Sequence, residues 1–234
     1  MGSALRTLAV VATLSAGCAS AAPSDVLQQT ERYPTVIELP APELDGPLSL
    51  ERALHERRSG REYTTTALTL DEIGQLFWAG QGITDDDGYR TAPSAGARYP
   101  LELYAVTAAD LMHYVPTGHR VEQRADATTL EALPDAAFDQ TFVGGAPLVV
   151  VIAADPARTE QEYGAVAEDL VNREAGHAAQ NILLQATALG LAAVPVGGFD
   201  PAGVARLLAL PSGQTVLYLI PVGMPPSGAT AIDS

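Results

Sequence analysis

Three short stretches of this 234-residue chain carry side chains or bare backbone that could do chemistry. Arg57-Arg58-Ser59-Gly60-Arg61 sets three guanidiniums within five positions, in a chain whose formal charge is −15. Such charges repel one another unless an anion or carboxylates lie among them, and arginine's planar fork fits a phosphate with two parallel hydrogen bonds. The alternative is a basic helix end that complements its own dipole and pairs with Glu51, Glu56 and Glu62. Gly197-Gly198 follows a β-prone run, residues 192–196. Two residues without Cβ let a flat molecule approach backbone amides, and an N–H beside a planar ring can hydrogen-bond a ring nitrogen; a plain tight turn is the other reading. The third stretch, residues 90–100, is a loop with two prolines, a glycine and hydroxyls, flanked by Arg90 and Arg98 and followed by a strand. Loops held in this way are common seats of binding groups.

Composition narrows the chemistry. All 13 basic residues are arginine, against 28 acidic ones. No lysine is present to act as a base or form a Schiff base, and a nucleic-acid partner is disfavoured by the charge. Ser94 lies outside any G-x-S-x-G elbow, and His55, His113, His119 and His177 stand singly without an acidic partner at a recognisable spacing, so neither a serine hydrolase nor a metal site is indicated. His177 reads as an interior or interface histidine and Trp78 as a core anchor.

The elements that must position these groups follow from periodicity. Small and apolar residues at Ala175, Ala178, Ala179, Ile182, Leu183, Ala186 and Leu189 predict a buried helix stopped by Gly190. That helix region begins at about 161, and Asp200 is placed to cap a new helix with Pro201 first, continuing through 204–210. Ser49 predicts the cap of a helix that ends near Arg58; a second helix spans 70–79 and stops at Gly80-Gln81-Gly82. Strands are predicted over 101–107, 112–115, 148–153 and 216–222, and residues 116–146 are mixed with a weak helix near 130–137. Helices and strands alternate without regular βαβ spacing, which predicts one α+β domain with a sheet-and-helix sandwich, at residues 48–228. Residues 1–18, with one early cation, a short apolar run and the only cysteine, predict a signal peptide; Ser15-Ala16-Gly17-Cys18 is similar to a lipoprotein cleavage box that would acylate Cys18. Residues 19–47, rich in Ala, Pro and Ser, predict a tether.

Taken in order, residues 57–61, 90–100, 176–181 and 195–200 resemble the nitroreductase family, and most of all its SagB-type azoline dehydrogenases. The resemblance covers about residues 48–225. It implies a central mixed or antiparallel sheet flanked by helices, a homodimer, and FMN bound at the dimer interface. Arg57, Arg58, Ser59 and Arg61 then stand where the family holds the phosphate and the pyrimidine edge. Pro93, Ser94, Ala95 and Arg98 stand where the second subunit closes over the flavin. Gly197 and Gly198 stand at the loop whose amide faces the hydride-carrying N5, in a backbone conformation suited to glycine. The implied chemistry is ping-pong hydride transfer between NAD(P)H or an organic donor and a small-molecule acceptor.

Two positions depart from that pattern. The azoline dehydrogenases carry a catalytic lysine–tyrosine pair; here Glu162 replaces the lysine and Tyr163 stays. Gly223-Met224-Pro225 stands where many relatives place a further cation for the phosphate. The second reading is a non-catalytic protein of the same fold that holds flavin or another planar ligand at the bacterial cell envelope. A lipid-anchored location is expected from Cys18, or secretion if that cysteine is not acylated.

Overall fold

Leu148–Ala154 (β5) is apolar along its whole length and buried along its whole length, in a computed structural model that describes residues 32–227. Alternate residues of a strand face opposite ways, and here each way leads to a core. Val150 and Ile152 join one cluster with Leu76, Phe77, Leu103, Ala178 and Ile182. Val149 and Val151 join another with Tyr104, Leu130, Leu133, Val143, Val204 and Leu208. A strand covered on both faces needs no polar alternation, which is why its sequence is one apolar run.

Around β5 lies a seven-stranded sheet in the order β1-β4-β3-β2-β5-β7-β6, formed by Thr35–Glu38 (β1), Leu101–Thr107 (β2), Asp110–Val115 (β3), Arg120–Ala125 (β4), Ala192–Ala193 (β6) and Thr215–Gly223 (β7). Every pairing between these strands is antiparallel. The fold is the expected α+β sandwich. Leu50–Glu56 (α1), Leu70–Gln81 (α2) and Ala167–Ala188 (α6) gather on one side of the sheet, and Thr129–Ala136 (α3), Thr141–Gly145 (α4) and Pro201–Leu207 (α7) belong to the other.

Local sequence explains the ends of these helices. Ser49 caps α1 by accepting from Arg52 N–H, and Thr69 and Glu72 form a reciprocal capping box on α2. Helix α6 buries Ala175, Ala178, Ala179, Ile182, Leu183 and Ala186, and gives way at Leu189 and Gly190, where φ is +71°. It does not run back unbroken to residue 161. Ala157–Tyr163 (α5) is separate, because Gly164 at φ +53° breaks the helix and starts a 3-10 turn, Gly164–Val166.

Two expectations change. Folded structure reaches back past 48 at least to Tyr33: Tyr33 is buried and β1 forms the sheet edge against β4. Pro34 and Pro40 bracket a strand too short to show its alternation, so the stretch has the composition of a tether. The mixed region also holds β4, whose sequence RVEQRA buries only Val121. The signal peptide, Cys18 and the first part of the tether lie outside the described residues. No described helix is long and apolar enough to cross a membrane.

Candidate active site

The glycine loop hangs from the edge of the sheet. Val196 exchanges both its backbone hydrogen bonds with Leu219 of β7, at 2.8 and 3.1 Å. Gly197 and Gly198 then run out into solvent, and neither N–H donates to any acceptor among the described residues. The chain is caught again at once: Gly198 C=O accepts from Gln140 Nε2 at 2.7 Å, Phe199 is buried, and Asp200 N–H donates to Ala136 C=O at 2.7 Å. Asp200 also caps α7 by accepting from Ala202 N–H at 3.1 Å, with Pro201 first, as its sequence predicts. The expectation of a glycine-only backbone fails here. Neither glycine has a positive φ, and a Cβ built on either would meet nothing within 4 Å. The segment is bare although the chain there is neither crowded nor in a left-handed conformation.

The arginine segment reaches the same edge. Gly60 N–H donates to Ala193 C=O at 3.0 Å, and Ser59 makes a parallel bridge with Ala193. A Cβ on Gly60 would stand 2.8 Å from the Ala192 Cβ, so this approach requires glycine. Tyr63 fastens the turn by donating to Gly60 C=O at 2.7 Å; burial pushes its hydroxyl well above the ordinary range, against the pull of Arg61. Two-residue β6 thus brings residues 59–61 and the glycine loop to one place.

The arginines divide between the two readings. Arg58 turns back on its own helix end and donates to the carbonyls of His55 and Arg57, at 3.0 and 2.8 Å. Arg57 and Arg61 have no carboxylate partner among the described residues, and Arg61 lies 5.5 Å over the Phe142 ring. Glu56 pairs instead with Arg52, and neither Glu51 nor Glu62 answers the cluster. Two cations at an exposed edge are therefore free for an anion.

A second set of expected residues collects elsewhere in the chain. In the loop before β2, Ser94 Oγ accepts from Tyr99 N–H at 2.9 Å, and the 3-10 turn Ala95–Ala97 passes through Gly96 at φ +56°. Pro93 and Arg98 are exposed, and Arg98 Nε pairs with Glu162 Oε2 at 2.6 Å. A Cβ on Gly96 would stand 2.9 Å from both the Glu162 carboxylate and the Tyr163 hydroxyl. Ser94, Ala95, Arg98 and Tyr163 therefore surround one turn. No hydrogen bond or ion pair among the described residues joins this set to the arginines and glycines at β6.

Beneath that turn lies a buried polar cluster the sequence reading missed. Arg90 stacks 4.5 Å over the Tyr99 ring and donates to Gln81 Oε1 at 2.8 Å. Glu174, on α6 and 3% exposed, faces Ser94, Arg90 and Gln81. Burial raises its acid to about 7; the Ser94 hydroxyl, the Arg90 charge and the Gln81 amide pull it down less strongly. Burial also lowers the Arg90 pKa, against the opposing charges of Glu102 and Tyr99. The signal for Glu174 was there, since the helix stripe places an acid three positions after Val171 and four before Ala178. Gln140 gave no such signal, because its partners lie 58 residues away or in a connector of irregular backbone. His177 is exposed on α6, not interior, and Trp78 is half-buried beside Leu50, Ala53 and Leu184.

The α+β sandwich thus sets a bare, clamped amide segment at the same edge as two arginines without a carboxylate partner among the described residues. Residues 54–224 match the model of the nitroreductase family, and the chain belongs to that family. A nitroreductase-family protein of Methanocaldococcus jannaschii is 39% identical over 194 residues, covering 80% of this chain and 96% of that one. Among solved structures, one of the same family from Ralstonia eutropha is 30% identical with a TM-score of 0.74, covering 82% of this chain and 90% of its own. Another, from Desulfovibrio desulfuricans, was solved in complex with FMN; it is 25% identical with a TM-score of 0.60, covering 81% and 91%.

Proposed function

We propose that the chain is an FMN-dependent oxidoreductase that passes a hydride between a small-molecule donor, NAD(P)H or an organic substrate, and an acceptor. The observation that carries this reading is the pair of unpartnered amides at Gly197 and Gly198, exposed, without side chains, and clamped on both sides. They suit a planar ring with an acceptor nitrogen. Arg57 and Arg61 suit its phosphate, and Ser59 lies between them at the same edge. When bound, FMN supplies two-electron hydride chemistry at N5. The chain's part is to orient the ring, to offer an amide donor beside the reacting atom, and to keep side chains out of the path of the hydride.

The two sets of residues fit a site completed by a second subunit, with Pro93, Ser94, Ala95 and Arg98 of one protomer closing over the edge at β6 of its partner. Leu50 and Leu54, 61% and 54% exposed on α1, and the apolar groove beside Trp78 and Leu184 supply a surface for such pairing. A homodimer is the proposed working unit.

The finer reading is a SagB-type dehydrogenase. Tyr163 keeps the tyrosine of that branch, while Glu162, engaged by Arg98, puts an ion pair where the branch has lysine. Proton transfer at this place falls to Tyr163, and the oxidised substrate need not be an azoline. We further propose an exported protein held at the cell envelope through acylated Cys18. The direct test is to purify residues 23–234, read the visible spectrum, identify the released cofactor by mass, and add NAD(P)H. A yellow protein that releases FMN and bleaches supports the enzyme; a yellow protein that no donor reduces is the binder, and a colourless one contradicts both.

A further inference from the structure

We infer that Gln140 is a positioning residue for the reacting loop: its side-chain amide fixes the direction in which Gly197 and Gly198 present their N–H groups. The inference rests on the placement of that loop beside the reacting atom, proposed above.

Gln140 stands in the connector between α3 and α4. Its Nε2 lies 2.7 Å from two carbonyl oxygens, Ala137 in its own connector and Gly198 across the site. Two acceptors can be answered only by the NH₂ end of an amide, so the network itself fixes which end points where. The backbone that delivers it is unusual. Phe138 and Asp139 are consecutive non-glycine residues at φ +56° and +60°, held by Asp139 N–H donating to Pro134 C=O at 2.9 Å and Gln140 N–H to Ala137 C=O at 3.3 Å. Left-handed backbone is unfavourable for residues with a Cβ, and it persists where the surroundings impose it. Two residues on, in the first turn of α4, Phe142 lies under Arg61, so the connector and the helix it leads into touch both the glycine loop and the cationic segment.

The consequence for the loop is geometric. Val196 C=O is fixed by Leu219 N–H at 3.1 Å, and a trans peptide points the Gly197 N–H the opposite way. On the far side the Gly198 carbonyl is fixed by Gln140. The peptide between these two anchors carries the free Gly198 N–H. Two successive glycines have the widest backbone freedom of any pair, and the Gln140 contact removes it before a ligand arrives.

The experiment compares the parent with Gln140→Leu and Gln140→Glu in the full chain. Three readouts are taken: hydrogen exchange at the Asp200 amide without FMN, the visible spectrum with FMN bound, and the rate of flavin reduction by NAD(P)H at equal occupancy. Gln140→Leu should speed exchange at Asp200, shift the flavin absorption band, and slow reduction about tenfold, the rate equivalent of one neutral hydrogen bond. Gln140→Glu should be slow at neutral pH, where a carboxylate faces the Gly198 carbonyl, and should recover as acidification restores a donor. A merely structural role would give neither the spectral shift nor the recovery. Should Gln140→Leu fail to fold, Gln140→Glu decides. An unchanged spectrum and rate in a folded, fully occupied variant overturns the inference and leaves the flavin reading standing. If the parent holds no FMN, the flavin reading falls instead, and unchanged exchange at Asp200 would then overturn Gln140 as an anchor.

Discussion

A Cβ on Gly96 would stand 2.9 Å from the Tyr163 hydroxyl and from the Glu162 carboxylate, at a backbone φ of +56°. The two side chains could shift by a few tenths of an ångström, but the left-handed backbone could not be relieved in that way. Gly96→Ala should therefore destabilise the chain by about 1–2 kcal/mol, through its backbone more than its methyl group. Denaturant unfolding measures this; a loss near zero would mean that the turn relaxes freely and does not fix Tyr163.

The arginines should not be equivalent. Arg58 directs its donors to the end of α1, whereas Arg57 and Arg61 have no carboxylate partner among the described residues. A charge-assisted bond to a phosphate contributes roughly 1.5–3 kcal/mol, so Arg57→Ala and Arg61→Ala should each weaken FMN binding by about ten- to a hundredfold. Arg58→Ala should act mainly on α1. Titration of the FMN-free protein with FMN ranks the three variants, and equal losses at all three positions would contradict the division.

Glu174 makes a prediction in pH. Its acid is raised to about 7, above the ordinary value of 4.5, so the folded chain favours the protonated form. That contribution is fully present below about pH 4.5 and is lost as pH rises through about 7. At roughly 1.4 kcal/mol per pKa unit, the difference is at most about 3 kcal/mol. Glu174→Gln, compared with the parent across this range, should gain relative stability as pH rises, measured by denaturant midpoints at each pH. A difference that does not change between pH 4.5 and 7 would mean that burial does not raise the Glu174 acid and that it titrates alike in the folded and unfolded chain.

Acylation of Cys18 is tested by fractionation. Cys18→Ser should move the protein from the membrane to the soluble fraction, because each buried CH₂ contributes about 0.8 kcal/mol and the described helices offer no span. Unchanged membrane association would mean another anchor.

How much was legible depended on whether a residue's role was local. The buried strand β5, the stripe of α6, the Ser49 and Asp200 caps and the stop at Gly190 each rest on a few consecutive residues, and all stand where their sequence puts them. The arginine segment and the glycine loop could be named separately, but nothing in the sequence said that β6 would bring them to one edge. That meeting depends on a strand of two residues and on the close approach of Gly60 to Ala192. The acid of Glu174 on the buried stripe of α6 was legible, but its partners, and those of Gln140, were not, because they lie far away along the chain. Strand β1 was missed because a four-residue edge between prolines has the composition of a tether.

The most direct test of the whole account is Gly198→Val. A Cβ there meets nothing within 4 Å in the protomer and the backbone is not left-handed, so fold and melting temperature should be little changed. What the side chain would obstruct is the space above the free amides. Stopped-flow bleaching of the flavin by NAD(P)H, normalised to occupancy read from the same spectrum, should slow about a hundredfold or more, the rate equivalent of roughly 3 kcal/mol. FMN should remain bound through Arg57 and Arg61. A variant that holds its flavin and bleaches at the parent rate would show that the loop is not at the reacting atom, and the placement of the active site would be wrong.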